Sequence, residues 1–209
     1  MGELVTLEVF SDYVWPWCYF ITGRIERLQK NYEIEIRWTA FPLHPDTPEE
    51  GLALEELFAG RSVDIDQMTA RLKLVADEEG LPLGERRKTY NSRLAQELGK
   101  WAESEGRGDE FHRAVFRAYF ADGKNIAKIP KLVDLAISVE LPGKEAQKVL
   151  ETRAFKEAVD LDWSRSRTMG VTAVPTFALK QQAVVGAQPY EALEQLMKAN
   201  NVKKRSPNP

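Results

Sequence analysis

Two strand-like runs of hydrophobic positions lie near the N-terminus. Residues 4–10 read as an apolar strand, and Ile34-Glu35-Ile36-Arg37-Trp38 alternates apolar and charged residues with the period-two pattern of a half-buried one. Between them Ile21, Ile25 and Leu28 fall at helical spacing, which predicts a helix over about 16–30 and a strand–helix–strand unit. A second pattern lies near the C-terminus. Residues 171–179 and 183–185 read as strands joined by the polar turn Lys180-Gln181-Gln182. Gly186 then leads to a helix opening at Pro189, with Leu193, Leu196 and Met197 on one face.

The stretch 48–151 reads as helical throughout. Leu52, Leu54, Leu57 and Phe58 suggest a short first helix. Met68, Leu72 and Val75 mark the next, ending near Gly80-Leu81-Pro82. Ser92 is placed to cap a helix bearing Leu94, Leu98 and Trp101, and Asp109 one bearing Phe111, Val115 and Tyr119. Pro130 introduces Leu132, Leu135 and Ala136. Phe155, Val159 and Trp163 form an i, i+4, i+8 stripe on a long helix ending at Gly170. The expected architecture is α/β: a thioredoxin fold with an inserted all-helical subdomain. Residues 1–47 and 152–200 would form the thioredoxin-like domain, 48–151 the insertion and 201–209 a flexible tail.

Composition narrows the function classes. The 209 residues are 43% hydrophobic, enough for a sizeable core, and carry a formal net charge of −3 with both signs interspersed. That balance gives no electrostatic reason to expect nucleic acid or an anionic membrane as partner. Lys203-Lys204-Arg205 reads as a solvated, frayed terminus. No run of 18 apolar residues exists, and the N-terminus lacks the pattern of a secretory signal. With one cysteine no internal disulfide can form, which fits a reducing, cytoplasmic setting.

The chemistry concentrates in Ser11-Asp12-Tyr13-Val14-Trp15-Pro16-Trp17-Cys18. At a strand-to-helix junction Cys-Pro-Trp-Cys would read as a redox dithiol. Here Trp15 stands where the first sulfur would be, a degenerate CxxC. Cys18 has two readings: a first-turn thiol whose pKa the helix N-terminus lowers, or a small buried hydrophobe. Trp15 also has two, a plug over the vacated redox position or an aromatic wall for a ligand. In Val171-Thr172-Ala173-Val174-Pro175-Thr176-Phe177 the proline cannot donate to a ladder, so it belongs at a strand start or edge. His44 and His112 have no ligand cluster around them, so no metal is expected. His44 reads as a loop residue, and the glycines form no phosphate-binding fingerprint.

In order along the chain, the segment from Ser11 to Tyr19, Phe41-Pro42-Leu43-His44-Pro45, Asn91-Ser92-Arg93-Leu94-Ala95, Phe116-Arg117-Ala118-Tyr119-Phe120 with Asn125-Ile126, the segment from Gly170 to Phe177, and Gly186-Ala187-Gln188 resemble the DsbA-like thioredoxin-fold proteins, most closely the FrnE-type branch. The resemblance implies a thioredoxin core with a helical insertion and a cis peptide between Val174 and Pro175, beside the start of the first helix. It implies thiol–disulfide exchange as the family chemistry, with the Val174 backbone pairing an extended thiol substrate. Trp15, Pro16, Trp17, Val174 and Pro175 would then bind substrate, and Cys18 would be the catalytic residue.

The departure at Trp15 rules out a two-sulfur cycle within one chain. What remains is an oxidoreductase-family member limited to monothiol chemistry through Cys18, with glutathione or a partner protein. Two alternatives stand beside it: a glutathione-dependent isomerase or transferase, similar to the kappa-class transferases and 2-hydroxychromene-2-carboxylate isomerases, and a non-catalytic peptide- or ligand-binding module. The expected partner is a thiol-containing small molecule or peptide. No tightly bound cofactor is expected, glutathione being a diffusible one, and a homodimer is compatible with the apolar groove.

Overall fold

The N-terminal apolar run becomes one of the two inner strands of a four-stranded sheet. The computed structural model describes residues 4–206. In chain order its elements begin with β1 (Val5–Ser11), α1 (Pro16–Phe20), α2 (Thr22–Asn31) and β2 (Ile34–Ala40). Next come β3 (Leu52–Ala53), α3 (Leu54–Leu57), α4 (Ile65–Glu78), β4 (Lys88–Thr89), α5 (Arg93–Ser104) and α6 (Gly108–Phe120). The chain closes with α7 (Ile129–Ser138), α8 (Gly143–Thr152), α9 (Lys156–Thr168), β5 (Thr176–Leu179), β6 (Gln182–Val185) and α10 (Tyr190–Ala199). The sheet order is β2-β1-β5-β6, with β1 parallel to β2 and antiparallel to β5.

The chain divides into two compact units, 1–41 with 162–209 and 42–161. The insertion therefore starts at Pro42 and ends inside α9, a wider span than the expected 48–151.

In the first unit Leu7 and Val9 of β1 pack with Ile25 and Leu28 of α2, Phe177 of β5, and Leu193, Leu196 and Met197 of α10. Glu8, between Leu7 and Val9 in sequence, turns to the other face because successive strand side chains alternate. It meets the C-terminal part of α9 there: Arg165 Nε and Nη2 each donate to its carboxylate at 2.6 Å. Asp162 accepts the Ala40 N–H at 2.9 Å, which fixes the exit of β2.

Several local expectations are corrected. The helix expected over 16–30 is interrupted at Ile21, which ends α1 and precedes α2. Strand β5 begins only at Thr176, since Pro175 has no N–H for the ladder. Two-residue strands carry no periodicity, so the β3–β4 pair was not foreseen. Helix α6 starts at Gly108, which puts Asp109 in its first turn instead of at the cap. The stripe of Phe155, Val159 and Trp163 does run on one helix, α9, which begins just after Phe155, whose carbonyl accepts Val159 N–H at 3.3 Å; α8 before it ends at Arg153 in the left-handed conformation.

Residues 201–206 are not a free tail. Glu33 N–H donates to Lys203 O at 2.8 Å, and Arg205 N–H donates to Asn31 O at 2.9 Å. Arg205 Nε reaches Gln29 O and Tyr32 O at 2.8 and 2.9 Å. These carbonyls lie at the C-terminal end of α2, where acceptors lack intrahelical partners and a cation is favoured. The last three residues of the expected tail lie outside the described residues.

In the second unit the amphipathic stripes bury Ala95, Leu98, Phe111, Val115, Phe116, Leu132 and Leu150. Glu97 is 1% exposed and bridges α5 to the end of α8. It accepts Arg93 Nε at 2.6 Å and both Nε and Nη2 of Arg153 at 2.7 and 2.6 Å. Two asparagines of the resemblance segments also have structural work here. Asn91 donates to Pro45 O and Thr47 O while its own oxygen accepts Arg93 N–H. Asn125 donates to Glu49 O and accepts Ala127 N–H.

Candidate active site

Strand pairing brings the two sequence signals together. Phe10 of β1 stands opposite Thr176 of β5. One residue beyond each, Ser11 opens the Trp15–Cys18 corner and Pro175 closes the loop that starts at Val171. Both segments thus meet at one end of the sheet, within the first unit.

On the β1 side the chain turns at Asp12. Its Oδ1 accepts Val14 N–H at 3.1 Å and its carbonyl accepts Trp15 N–H at 3.2 Å. Asp12 is 1% exposed, so this Asx-type turn is internal. Trp15 is the N-cap of α1, with extended backbone, and Pro16 fills the first helical position, where a missing N–H costs nothing. The Trp15 carbonyl takes Cys18 N–H at 3.0 Å. Trp15 and Trp17 are half-buried. Trp17 packs edge-on to Phe20 at 5.7 Å between centroids. Neither indole N–H has a hydrogen-bond partner among the described residues.

Cys18 is 0% exposed. Burial pushes its thiol up to about 12, and the Asp12 charge pushes in the same direction. Ser11 Oγ and the Asp12 backbone temper this but do not reverse it. Ser11 Oγ is itself buried and makes no hydrogen bond of ordinary geometry. The expected lowering by the helix end is therefore overturned. Desolvation of a thiolate outweighs the field of a single five-residue helix. At neutral pH this environment keeps Cys18 in its thiol form, which supports its reading as a small buried hydrophobe.

On the β5 side the peptide bond between Val174 and Pro175 is cis. Thr176 Oγ1 donates to Ala173 O at 2.7 Å, folding the loop across the proline, and Gly186 N–H donates to Pro175 O at 2.7 Å. Gly186 has φ of +89°, a conformation that excludes most side chains. Val174 is 5% exposed, and neither its N–H nor its C=O is hydrogen-bonded among the described residues. Sequence reasoning missed Arg24 of α2, whose Nη1 donates to Ala187 O and Gln188 O at 3.0 and 2.6 Å. It holds the segment after Gly186 against the first helix pair. A contact across 163 residues leaves no local trace, so nothing in the pattern around Arg24 could have signalled it.

The two histidines lie elsewhere. His44 is half-buried in a loop, and burial with the charges of Arg61 and Arg86 lowers its pKa. His112 faces Glu103 at 3.1 Å. Among the described residues no group of three His, Cys, Asp or Glu could hold a metal. Among them, too, no helix is long and apolar enough to cross a membrane.

Comparison with known proteins agrees with this architecture. Residues 6–198 match the DSBA-like thioredoxin domain. The chain belongs to that family. The uncharacterized protein YwbO of Bacillus subtilis (strain 168) is 26% identical over 203 residues, covering 96% of this chain and 99% of YwbO. The crystal structure of a probable DsbA oxidoreductase from Streptomyces coelicolor superposes with a TM-score of 0.86 at 27% identity, covering 98% of this chain and 93% of that one. A 2-hydroxychromene-2-carboxylate isomerase shares the fold, with a TM-score of 0.75 at 20% identity over 94% and 96% of the two chains. In this DsbA-like member the only cysteine is Cys18.

Proposed function

We propose that this DsbA-like protein binds an extended thiol peptide, glutathione being the diffusible candidate, and that the reactive sulfur comes with the ligand. One contrast carries the reading. The protein's own sulfur is fully buried with its thiol pushed up to about 12, while the Val174 N–H and C=O, at the same end of the sheet, make no hydrogen bond among the described residues. A strand-like ligand would satisfy both groups as β-augmentation does. The half-buried Trp15, with its unpaired indole N–H, suits an aromatic wall better than a plug, because a plug would bury the ring completely. The chemistry that follows is isomerisation or transfer driven by the ligand's thiolate. The retained Trp15-Pro16-Trp17-Cys18-Tyr19 segment keeps the chain nearer the FrnE-type branch than the serine-bearing glutathione enzymes, and a lone thiol suits a reducing cytoplasm.

Titration with glutathione tests this by calorimetry and by tryptophan fluorescence. Saturable binding is expected with Kd on the order of 1 mM or tighter, weakened about fivefold in Trp15→Ala by loss of roughly 1 kcal/mol of aromatic contact. No heat and no fluorescence change at millimolar glutathione would overturn it. Monothiol exchange through Cys18 is the competing reading, and rapid alkylation of the native protein by iodoacetamide at neutral pH would restore it. Saturable binding without turnover of any thiol or disulfide substrate would favour the binding-module reading.

A further inference from the structure

A cavity of about 360 Å³ lies in the helical unit, bounded by α3, the start of α4 and the segment 85–87. That volume falls in the range of small-molecule sites, roughly 300–1,000 Å³. Its walls carry the carboxylates Glu55, Asp66 and Glu85 and the guanidinium groups Arg86 and Arg87, around the apolar Leu54 and Ile65. Glu55, Asp66, Glu85 and Arg87 form no ion pair among the described residues, although opposite charges share the same small space. Backbone hydrogen bonds build the walls. Leu54 N–H donates to Arg87 O at 3.0 Å and Gly84 N–H to Phe120 O at 2.9 Å. Gly84 lies so close to α6 that a Cβ there would meet Ala121 O at 2.3 Å. Arg86 is fixed by its Nη1 donating to Tyr119 OH at 2.8 Å and by lying 5.4 Å from the centroids of both Tyr119 and Phe120.

We propose that this cavity binds a small zwitterion with an apolar body, the simplest being a free apolar α-amino acid. Its carboxylate meets Arg86 and Arg87, its ammonium meets the carboxylates of Glu55 and Asp66, and its side chain lies against Leu54 and Ile65. Guanidinium groups suit carboxylates because their planar forks match two oxygens. A metal ion does not fit, since no three acids among the described residues converge on one point. An ion of one sign would leave one set of charges unanswered.

Calorimetry on the full chain with three probes tests the assignment: L-leucine, L-leucinamide (cationic only) and N-acetyl-L-leucine (anionic only). Leucine is expected to bind saturably, and each singly charged probe at least tenfold more weakly. Arg87→Gln should weaken leucine and N-acetyl-leucine but not leucinamide. The double variant Glu55→Gln with Asp66→Asn should weaken leucine and leucinamide but not N-acetyl-leucine. All three altered side chains are exposed, so the variants are expected to fold as the parent does. Any other order of affinities, no heat at about 10 mM leucine, or unchanged leucine binding in the variants overturns the proposal. None of the probes carries a thiol, so the outcome is independent of the Trp15–Val174 site.

Discussion

Cys18 shows how one environment can reverse a residue's chemistry. A thiolate there would have to give up hydration that a short helix end cannot replace. Iodoacetamide at pH 8 should therefore leave the native thiol unmodified over hours and label it fully in denaturant, as intact mass would record. Cys18→Ala should lower stability by about 1–2 kcal/mol, because it removes fully buried apolar volume, and should leave glutathione binding unchanged. Calorimetry of that variant checks the second half. Trp15→Cys would restore a pair of sulfurs across the first turn of α1, within the ~4.4–6.8 Å Cα separation a disulfide spans. Mild oxidant should then remove two hydrogens from the intact mass. The sequence showed Trp15, Cys18 and Pro175 as the residues to question, since each breaks a local rule. It could not show which way Cys18 would go, because its solvent exposure is set by the packed fold around it.

At the scale of elements, charge pairs fix where strands and helices end. Glu8 is pushed up by burial but held lower overall by Arg165, Thr39 and Arg37. It ties β1 to α9. Glu97 does the same for α5 and α8 with two arginines, Arg93 and Arg153. Glu97→Gln would leave both guanidinium groups without their buried anion and should cost about 3 kcal/mol, measured as a lower urea midpoint with unchanged slope. The Arg93–Glu97 pair has the i, i+4 spacing of one helix face, a local pattern. Arg153, 56 residues away and in a left-handed turn, leaves no such pattern. Element types were legible where a period ran long enough to read, as in α2, α5 and α10. Ends were less so. Ser92 does stand at the N-cap of α5, yet its side chain makes no cap bond and Asn91 accepts the first-turn N–H instead. Nothing in the residue types separates those two roles.

Taken whole, the molecule is a thioredoxin fold whose chain leaves after β2 and returns through α9. The order of the pattern blocks made this readable, because a strand–helix–strand half and a hairpin with a closing helix form one sheet only when brought together. The division at 41/42 and 161/162 was not readable, since the second boundary falls within a continuous helix. The buried thiol also shapes stability against pH. In the unfolded chain it loses its proton near 9.0, in the folded chain only at about 12. Between those values the folded state holds the extra proton, so raising pH favours unfolding. The slope from this group is about 1.4 kcal/mol per pH unit, and it vanishes below about pH 9. Urea titrations from pH 8 to 11 should show a steeper alkaline loss for the parent than for Cys18→Ala.

A thiol sealed in this way has a practical consequence. A cysteine introduced at the exposed Val185 of β6 would be the one site open to a maleimide dye. The protein can then carry a single fluorophore for distance or diffusion measurements with its native sulfur left in place.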